Sequence, residues 1–571
     1  KRKNSAIPRT EWNQIYEQIL GFLDMEQSVT KESLLVLNSL ELDDQTVLVT
    51  NQGDYYTRLQ NTYFTNWMAY EIYIRENQCI GIAQVSRQGQ TVENVYLKSC
   101  QREQICFLFA GAVYEIELND DQISCEPGVC DLVFTDGTLT AIKTKQDFIQ
   151  GQMLSYDDSE IEIEDYGRIH HNGKLPVYQT YGDVSEKSIS DVVLGNMDVA
   201  YVTAGKEVCA ILILQPADIK NIRVLLLADD GTNVRKDIYL KCSVKAVVTC
   251  GDETKNTEPD ELLHPADALT DTSGKTYVLK PETEDGRIYL CDQNGTATSN
   301  GYFGTIEVRN TENGYTVVNE LPLEEYLSAV VPSEMPSNFS AEALKAQAVC
   351  ARTFTYGQMK NDTYARYGAN LDDSIAYQAY HATTSYEVTD QAVADTAGMV
   401  MTYKGKLADC YYYSTSPGYS ENLEVWNAAS PGYLLAENHT REKTKDLSSD
   451  KAFHKFITAK ADAYDENSPY FRWTATLSAK LGMDETYGKL KKLKVNKRST
   501  SGYVLSLTMV FEKGERTIEK ENEIRYALGK YLLDLDLADG TNKHRASSVP
   551  SACFEIKSQK KGTIVLTGGG F

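Results

Sequence analysis

Hydrophobic and polar positions change rhythm several times along the chain. Between residues 10 and 38, Trp12, Ile15, Tyr16, Ile19, Leu20 and Leu23 recur every three or four positions, the apolar face of a helix, with Thr10 placed to cap it. A second capped helical segment is expected from Thr30, with Leu34, Leu35 and Leu37 on its apolar side. From about 45 to 215 the period drops to two, in short runs broken by Gly, Asp and Asn; Thr46–Thr50, Val129–Phe134 and Ala210–Leu214 are examples. One or two small β modules are expected there. A further β region opens at Ile222–Leu227 and continues through Tyr302–Val308 and Gly314–Val318, with a polar surface excursion over 251–271. At Asn319 the pattern becomes helical again. Leu323, Tyr326, Leu327 and Val330 keep helical spacing until Pro332, which biases Val331 away from the helical region. Ser340 is placed to cap a second helix running from Ala341 through Arg352 towards Lys360. The order predicts an α+β, β-rich multidomain chain: a helical segment over 1–44, accessory β modules over 45–217, and a distinct region from 218 to 571.

Composition narrows the function classes. With 571 residues, 42% hydrophobic and 24% charged, the chain is globular, with material for about three to five folding units. Lys+Arg 57 against Asp+Glu 81 gives a net charge of −24, which argues against nucleic acid as a partner and against a polybasic membrane patch. The longest apolar run, Ile105–Tyr114, falls well short of a membrane span. Tyrosines number 37 against 15 Phe and 4 Trp, which suits β packing or surfaces that stack on sugars. The 12 cysteines form no CxxC and the 7 histidines no HExxH, so neither a metal site nor a cofactor is expected. The opening Lys1-Arg2-Lys3-Asn4 lacks Met, which fits removal of a leading signal or anchor segment.

Two stretches carry candidate chemistry. In Val331-Pro-Ser-Glu334-Met-Pro336 a carboxylate sits two residues from a proline on either side, the stiff setting a general acid needs. On the next helix Lys345, Ala348 and Arg352 share one face, so that two cations could point at one ligand. A plain helix–helix turn with an exposed Glu and a solvated cationic face fits the same spacing. The second stretch, Cys410–Glu421 with Trp426 beyond it, combines rings, hydroxyls and a turn, as in a carbohydrate-contacting surface. A strand followed by an ordinary hairpin turn fits equally well.

These residues also carry a resemblance. Leu321–Leu327, Val331–Pro336 and Glu342–Thr353 resemble the signature of the sporulation stage II protein D / LytB family (SpoIID/LytB). Thr396–Val400, Tyr413–Gly418, Ser468–Trp473, Ile524–Gly529 and the terminal Gly-Gly-Gly-Phe571 follow in the family's order, so the resemblance covers about 220 to 571. It implies a cell-wall enzyme in the 218–571 region, a peptidoglycan lytic transglycosylase in which the helical pair carries the active-site motif. The family's essential glutamate falls on Glu334. One carboxyl group suffices for this reaction: it protonates the leaving glycosidic oxygen, then as a base lets the sugar's own 6-hydroxyl close a 1,6-anhydro ring. No second carboxylate is needed to hold a water or attack the ring. Lys345, Gln347 and Arg352 would orient substrate or Glu334, and Tyr413, Ser414, Ser416, Gly418, Ser420 and Glu421 would line the groove.

The implied partners are peptidoglycan glycan strands and an N-acetylmuramoyl-L-alanine amidase, at an extracellular or envelope location. A non-catalytic, wall-binding or amidase-enhancing protein on the same fold is the alternative. Three features depart from the family pattern. Ser414-Thr-Ser416-Pro417-Gly418 stands where the family reads Ser-Ser-Gly-Gly. Ile375–Tyr380 holds no cysteine where some relatives carry one tied to zinc, so no zinc is expected. The pattern also continues past the glycine-rich end, so the domain reads as incomplete at Phe571.

Overall fold

A computed structural model describes residues 9–22, 28–101, 104–118, 126–218, 220–270, 274–381, 386–426, 428–460, 462–560 and 562–571. The chain divides into two compact units, Lys1–Met401 and Thr402–Phe571. This division falls inside the 218–571 stretch that the sequence assigned to one region, and the accessory β modules share a unit with the helical pair. Among the described residues, no helix is long and apolar enough to cross a membrane.

The first unit opens with α1, Arg9–Phe22, the helix the periodicity predicts, followed by a strand where a second helix is expected. Thr30–Leu42 is one stave of a closed five-stranded barrel, hydrogen-bonded to Gln45–Thr50 on one side and to Met68–Arg75 on the other. The reason is burial on both faces. Leu34 and Val36 enter the barrel core with Leu48 and Ile72, while Leu35 and Leu37 pack outward against Val92, Phe107 and Phe134 of the next sheet. A strand buried on both sides reads as a continuous apolar run, which periodicity alone does not separate from a helix. The second module is a five-stranded antiparallel sheet between residues 90 and 144, and the third an eight-stranded sheet between 148 and 213. Three β modules thus stand where one or two are expected.

A seven-stranded sheet follows, in the order Glu253–Thr257, Ala246–Cys250, Thr276–Pro281, Thr305–Thr311, Gly314–Pro322, Asn221–Leu225, Leu371–Asp372. Its Gly314–Pro322 strand runs directly into α2, Leu323–Glu334, and Ser340 caps α3, Ala341–Gln358, by accepting from the Ala343 amide. α4, Glu387–Asp395, completes the helical layer. Ile306, Val308 and Val317 of the sheet share one core with Tyr326, Val330, Leu344, Ala348 and Ala392 of the helices.

The third module is joined to this sheet by a chain of buried charges. Glu162 accepts from Arg309 Nε at 2.9 Å, Arg309 Nη2 donates to Glu307 at 2.6 Å, and Arg223 donates to Glu307 through both Nη1 (3.0 Å) and Nη2 (2.5 Å). Arg223 also pairs with Glu320 and donates from Nε to the Gly368 carbonyl at 2.7 Å. Glu162, Arg223, Glu307 and Arg309 are each no more than 5% exposed. Burial alone would push the Glu307 carboxyl up, but the Arg223 and Arg309 guanidiniums overcome it and hold it at about 2.

The second unit pairs a five-stranded antiparallel sheet with a three-stranded one, Leu490–Arg498, Val504–Phe511 and Glu515–Glu519, around a core of its own. Among the described residues, two α-helices belong to it, α5 (Asp450–Thr458) and α6 (Glu521–Gly529).

Two outcomes follow from the charge chain. Glu307→Gln leaves two buried guanidiniums short of a counter-charge and lowers the stability of the first unit by about 3–5 kcal/mol, measured as a drop in its denaturant midpoint. Because the Glu307 carboxyl is depressed from 4.5 to about 2, its contribution is complete above its ordinary value and is lost as pH falls from 4.5 towards 2. Midpoints recorded across that window fall more steeply for the wild type than for Glu307→Gln.

Candidate active site

α2 does not end at Pro332. It continues through the proline to Glu334, its last residue. Pro332 lies near the C-terminal end, so its missing N–H leaves only the Ser328 carbonyl without its helical donor. Val330 and Val331 are fully buried in the shared core, and that packing overrides the local bias. Ser333 Oγ bonds back to the Ala329 carbonyl at 2.7 Å, and the Met335 amide closes on Val331 O at 2.9 Å. The break comes one proline later: Met335, before Pro336, is extended (φ −133°, ψ 125°).

Glu334 is thus held at a helix end, half-buried, rather than in a free corner between prolines. Its Oε1 accepts the Ala379 amide at 2.6 Å, and no described cation lies within ion-pair distance. The segment that supplies this amide is anchored by Gln378, fully buried, whose Oε1 accepts from Thr355 Oγ1 (2.7 Å) on α3 and from Tyr326 Oη (3.3 Å) on α2. Tyr380 Oη donates to Asn319 Oδ1 at 2.7 Å, fixing the other flank.

The two cations expected to share a ligand are each matched to a carboxylate of a neighbouring helix. Arg352 is 1% exposed and grips Glu324 of α2 with two parallel bonds, Nε–Oε1 at 2.8 Å and Nη2–Oε2 at 2.7 Å. Its remaining donors reach the Val393 and Met399 carbonyls at 3.2 and 3.3 Å, tying α3 to the end of α4. Lys345 pairs with Asp395 of α4 at 2.9 Å and with Glu342 at 3.4 Å. Gln347 is buried, its Nε2 without a partner among the described residues. The shared face exists, but it faces the other helices. Glu324 was the member of this group that spacing did not reveal; its place in the first turn of α2 was the available signal.

The remaining candidates lie in the second unit. Tyr413 and Ser414 are exposed, and the exposed Tyr411 ring meets Trp426 edge-on, centroids 5.2 Å apart. Ser416 is buried: its amide donates to Asp465 Oδ2 at 2.7 Å and its Oγ accepts from Gly418 N at 3.0 Å. Gly418 has φ 115° against Thr440 and Phe456, a position suited to glycine. Ser420 and Glu437 exchange hydrogen bonds, and Glu421 accepts from Ser499, with burial pushing its carboxyl up. The loop is neither strand nor regular hairpin. Thr415 exchanges two 2.9 Å backbone bonds with Phe571, Arg472 donates to the Pro417 carbonyl at 2.9 Å, and Phe571 stacks on Tyr470 at 4.4 Å. Three separated motifs thereby meet. Among the described residues, no cluster of His, Cys, Asp or Glu is arranged to hold a metal ion.

Arg352→Lys cannot reproduce the two-pronged grip on Glu324. It lowers the stability of the first unit by about 1–3 kcal/mol and raises hydrogen exchange in α4, both measurable on the intact chain.

Comparison with known sequences gives two family matches: residues 311–403 to the stage II sporulation protein family (SpoIID), and residues 420–571 to a domain of unknown function (DUF8618). The structural division after Met401 falls two residues before the end of the first match, and the second match lies wholly within the second unit. The stage II sporulation protein D of Bacillus amyloliquefaciens is 40% identical over 270 residues, 44% of this chain and 65% of that protein. The Bacillus subtilis (strain 168) protein of the same name is 38% identical over 152 residues, 24% of this chain and 44% of that protein. The amidase enhancer of Bacillus subtilis (strain 168) is 33% identical over 156 residues, 27% of this chain and 21% of that protein. The matches therefore span less than two thirds of these relatives. Residues 311–403, the segment that contains Glu334, Lys345 and Arg352, thus carry the sequence pattern of the SpoIID family, shared with relatives named stage II sporulation protein D and amidase enhancer.

Proposed function

We propose that the chain is a peptidoglycan lytic transglycosylase with Glu334 as its general acid and base, working outside the cytoplasmic membrane where that polymer lies. The carrying observation is the state of this carboxylate: half-buried, clear of any described cation, one oxygen held by the Ala379 amide. That leaves Oε2 to give a proton to the leaving glycosidic oxygen and then to take one from the sugar's 6-hydroxyl as the anhydro ring closes. The attacking hydroxyl belongs to the substrate, so one fixed carboxyl group and a rigid support are the protein's share of the chemistry. Arg352 and Gln378 serve here as positioning residues, holding α2, α3 and the 375–380 segment in register around Glu334. The exposed Tyr411, Tyr413 and Trp426 rings of the second unit offer stacking surfaces for sugar.

A second reading has its own support. One relative is named an amidase enhancer, and Lys345 and Arg352 are taken up by Asp395 and Glu324. A wall protein that stimulates an N-acetylmuramoyl-L-alanine amidase without cutting glycan fits both facts.

Mass spectrometry of purified glycan strands, with and without stem peptides, separates the two. The wild type yields 1,6-anhydro-muramyl ends, and Glu334→Gln lowers their rate of formation by about 10²–10⁴-fold while melting normally. Strands left intact by the wild type, together with stimulation of an amidase, would establish the second reading instead.

A further inference from the structure

The three N-terminal β modules enclose a cleft of about 640 Å³ to which no role has been assigned above. Its frame is held by bonds that cross between modules. Tyr178 Oη, at the floor, donates to the Asn94 carbonyl at 2.7 Å; the Gly111 amide donates to Glu186 Oε2 at 2.7 Å; Lys174 Nζ reaches the Gln52 carbonyl at 3.4 Å. The volume falls in the range of about 300–1,000 Å³ usual for small-ligand sites.

Five of the fifteen lining residues are carboxamides: Asn51, Gln52, Gln90, Asn94 and Asn172. Asn51 is clamped at both ends, its Oδ1 accepting from Leu35 N (2.9 Å) and its Nδ2 donating to Thr91 O (3.0 Å). Gln52 and Gln90 both turn their Nε2 groups onto Ser33, at 3.1 Å each. Their Oε1 acceptors take no hydrogen bond from the described residues, and Asn172 is exposed on the facing wall. The half-buried Phe109 adds a ring. One cation, Lys174, faces the carboxylates of Glu93 and Glu186, and the latter is engaged by the Gly111 amide. Fixed amide acceptors beside an aromatic ring suit neutral hydroxyl and acetamido groups, whereas the charge balance disfavours a polyanion.

We propose that this cleft binds an uncharged oligosaccharide bearing hydroxyl and acetamido groups, a glycan contact in addition to Glu334. The ligand class follows from the lining; its identification with wall glycan rests on the function proposed above and on that polymer's neutral N-acetylglucosamine residues, since the N-acetylmuramic acid residues carry a lactyl carboxylate unless a stem peptide amidates it. The cleft gives the accessory region a task, holding a strand while another part of it is presented for cutting.

The test uses the full chain carrying Glu334→Gln, with linear N-acetylglucosamine tetramer as the probe. Titration calorimetry reads affinity and hydrogen–deuterium exchange reads location. The expected result is protection over 89–94 and 172–176, with Gln90→Ala and Asn172→Ala each weakening the protecting event about tenfold. Both side chains lie at the cleft surface, and circular dichroism checks that each variant folds. Unaltered affinity in both variants with no protection of those segments overturns the inference, as does protection by an alanyl-glutamyl peptide and not by the sugar. Glycan cleavage is assayed separately on the wild type. Cleft binding without cleavage removes the transglycosylase reading and leaves this inference standing, while cleavage without cleft binding does the reverse.

Discussion

The run of buried charges from Glu162 through Arg309, Glu307 and Arg223 to Glu320 sets the architecture of the first unit. Its members come from two sheets, and each guanidinium bridges two carboxylates. Taking such groups out of water is costly, and the cost is offset only while every partner is in place. The sheets are therefore locked in one relative placement, and a slip of either would strand a charge. Gly368, left-handed at φ 75°, belongs to the same arrangement: a Cβ there would sit 2.6 Å from the Leu154 carbonyl and 3.1 Å from Arg309. This interaction ties the third accessory module to the sheet that leads into α2.

The lock also reaches the candidate active site. Arg223 lies on the strand paired with Gly314–Pro322, Glu320 lies on that strand itself, and α2 begins three residues after Glu320. The Leu323 amide bonds back to Lys220 O at 2.8 Å, so the direction in which α2 leaves the sheet is fixed at its first residue. From there rigidity passes along the helix. Arg352 holds α3 to α2 through Glu324, and Gln378, buried between Tyr326 and Thr355, sets the segment whose next amide meets Glu334. In the proposed reaction a carboxyl group working alone needs this support, because small displacements at a reacting atom cost large factors in rate.

The second unit solves a different problem with similar means. The 413–421 loop has no regular secondary structure, so its backbone groups are satisfied by Asp465, Arg472, Glu437 and the Phe571 main chain. A Cβ on Gly569 would meet the Phe471 carbonyl at 2.4 Å, and one on Gly570 would meet Pro417 at 2.8 Å. Much of what looks like a polar recognition loop in sequence is consumed in holding that loop together. Tyr413 and Ser414 are the expected contacts that remain exposed.

The sequence by itself determined the β-rich character, the helical pair after Asn319, the Ser340 cap and the motifs that give the family, because these rest on local periodicity, capping and residue order. It also singled out Glu334, since a carboxylate between two prolines is visible without a fold. The tertiary structure decided the rest. Leu34–Leu37 became a strand because both its faces met cores formed by distant residues, and Pro332 stayed helical because Val330 and Val331 were buried. Lys345 and Arg352 turned from candidate ligand contacts into braces because Asp395 and Glu324 lie opposite them, and the amide-lined cleft arose where three modules meet. Each of these outcomes depends on which distant residues become neighbours, which local pattern does not encode.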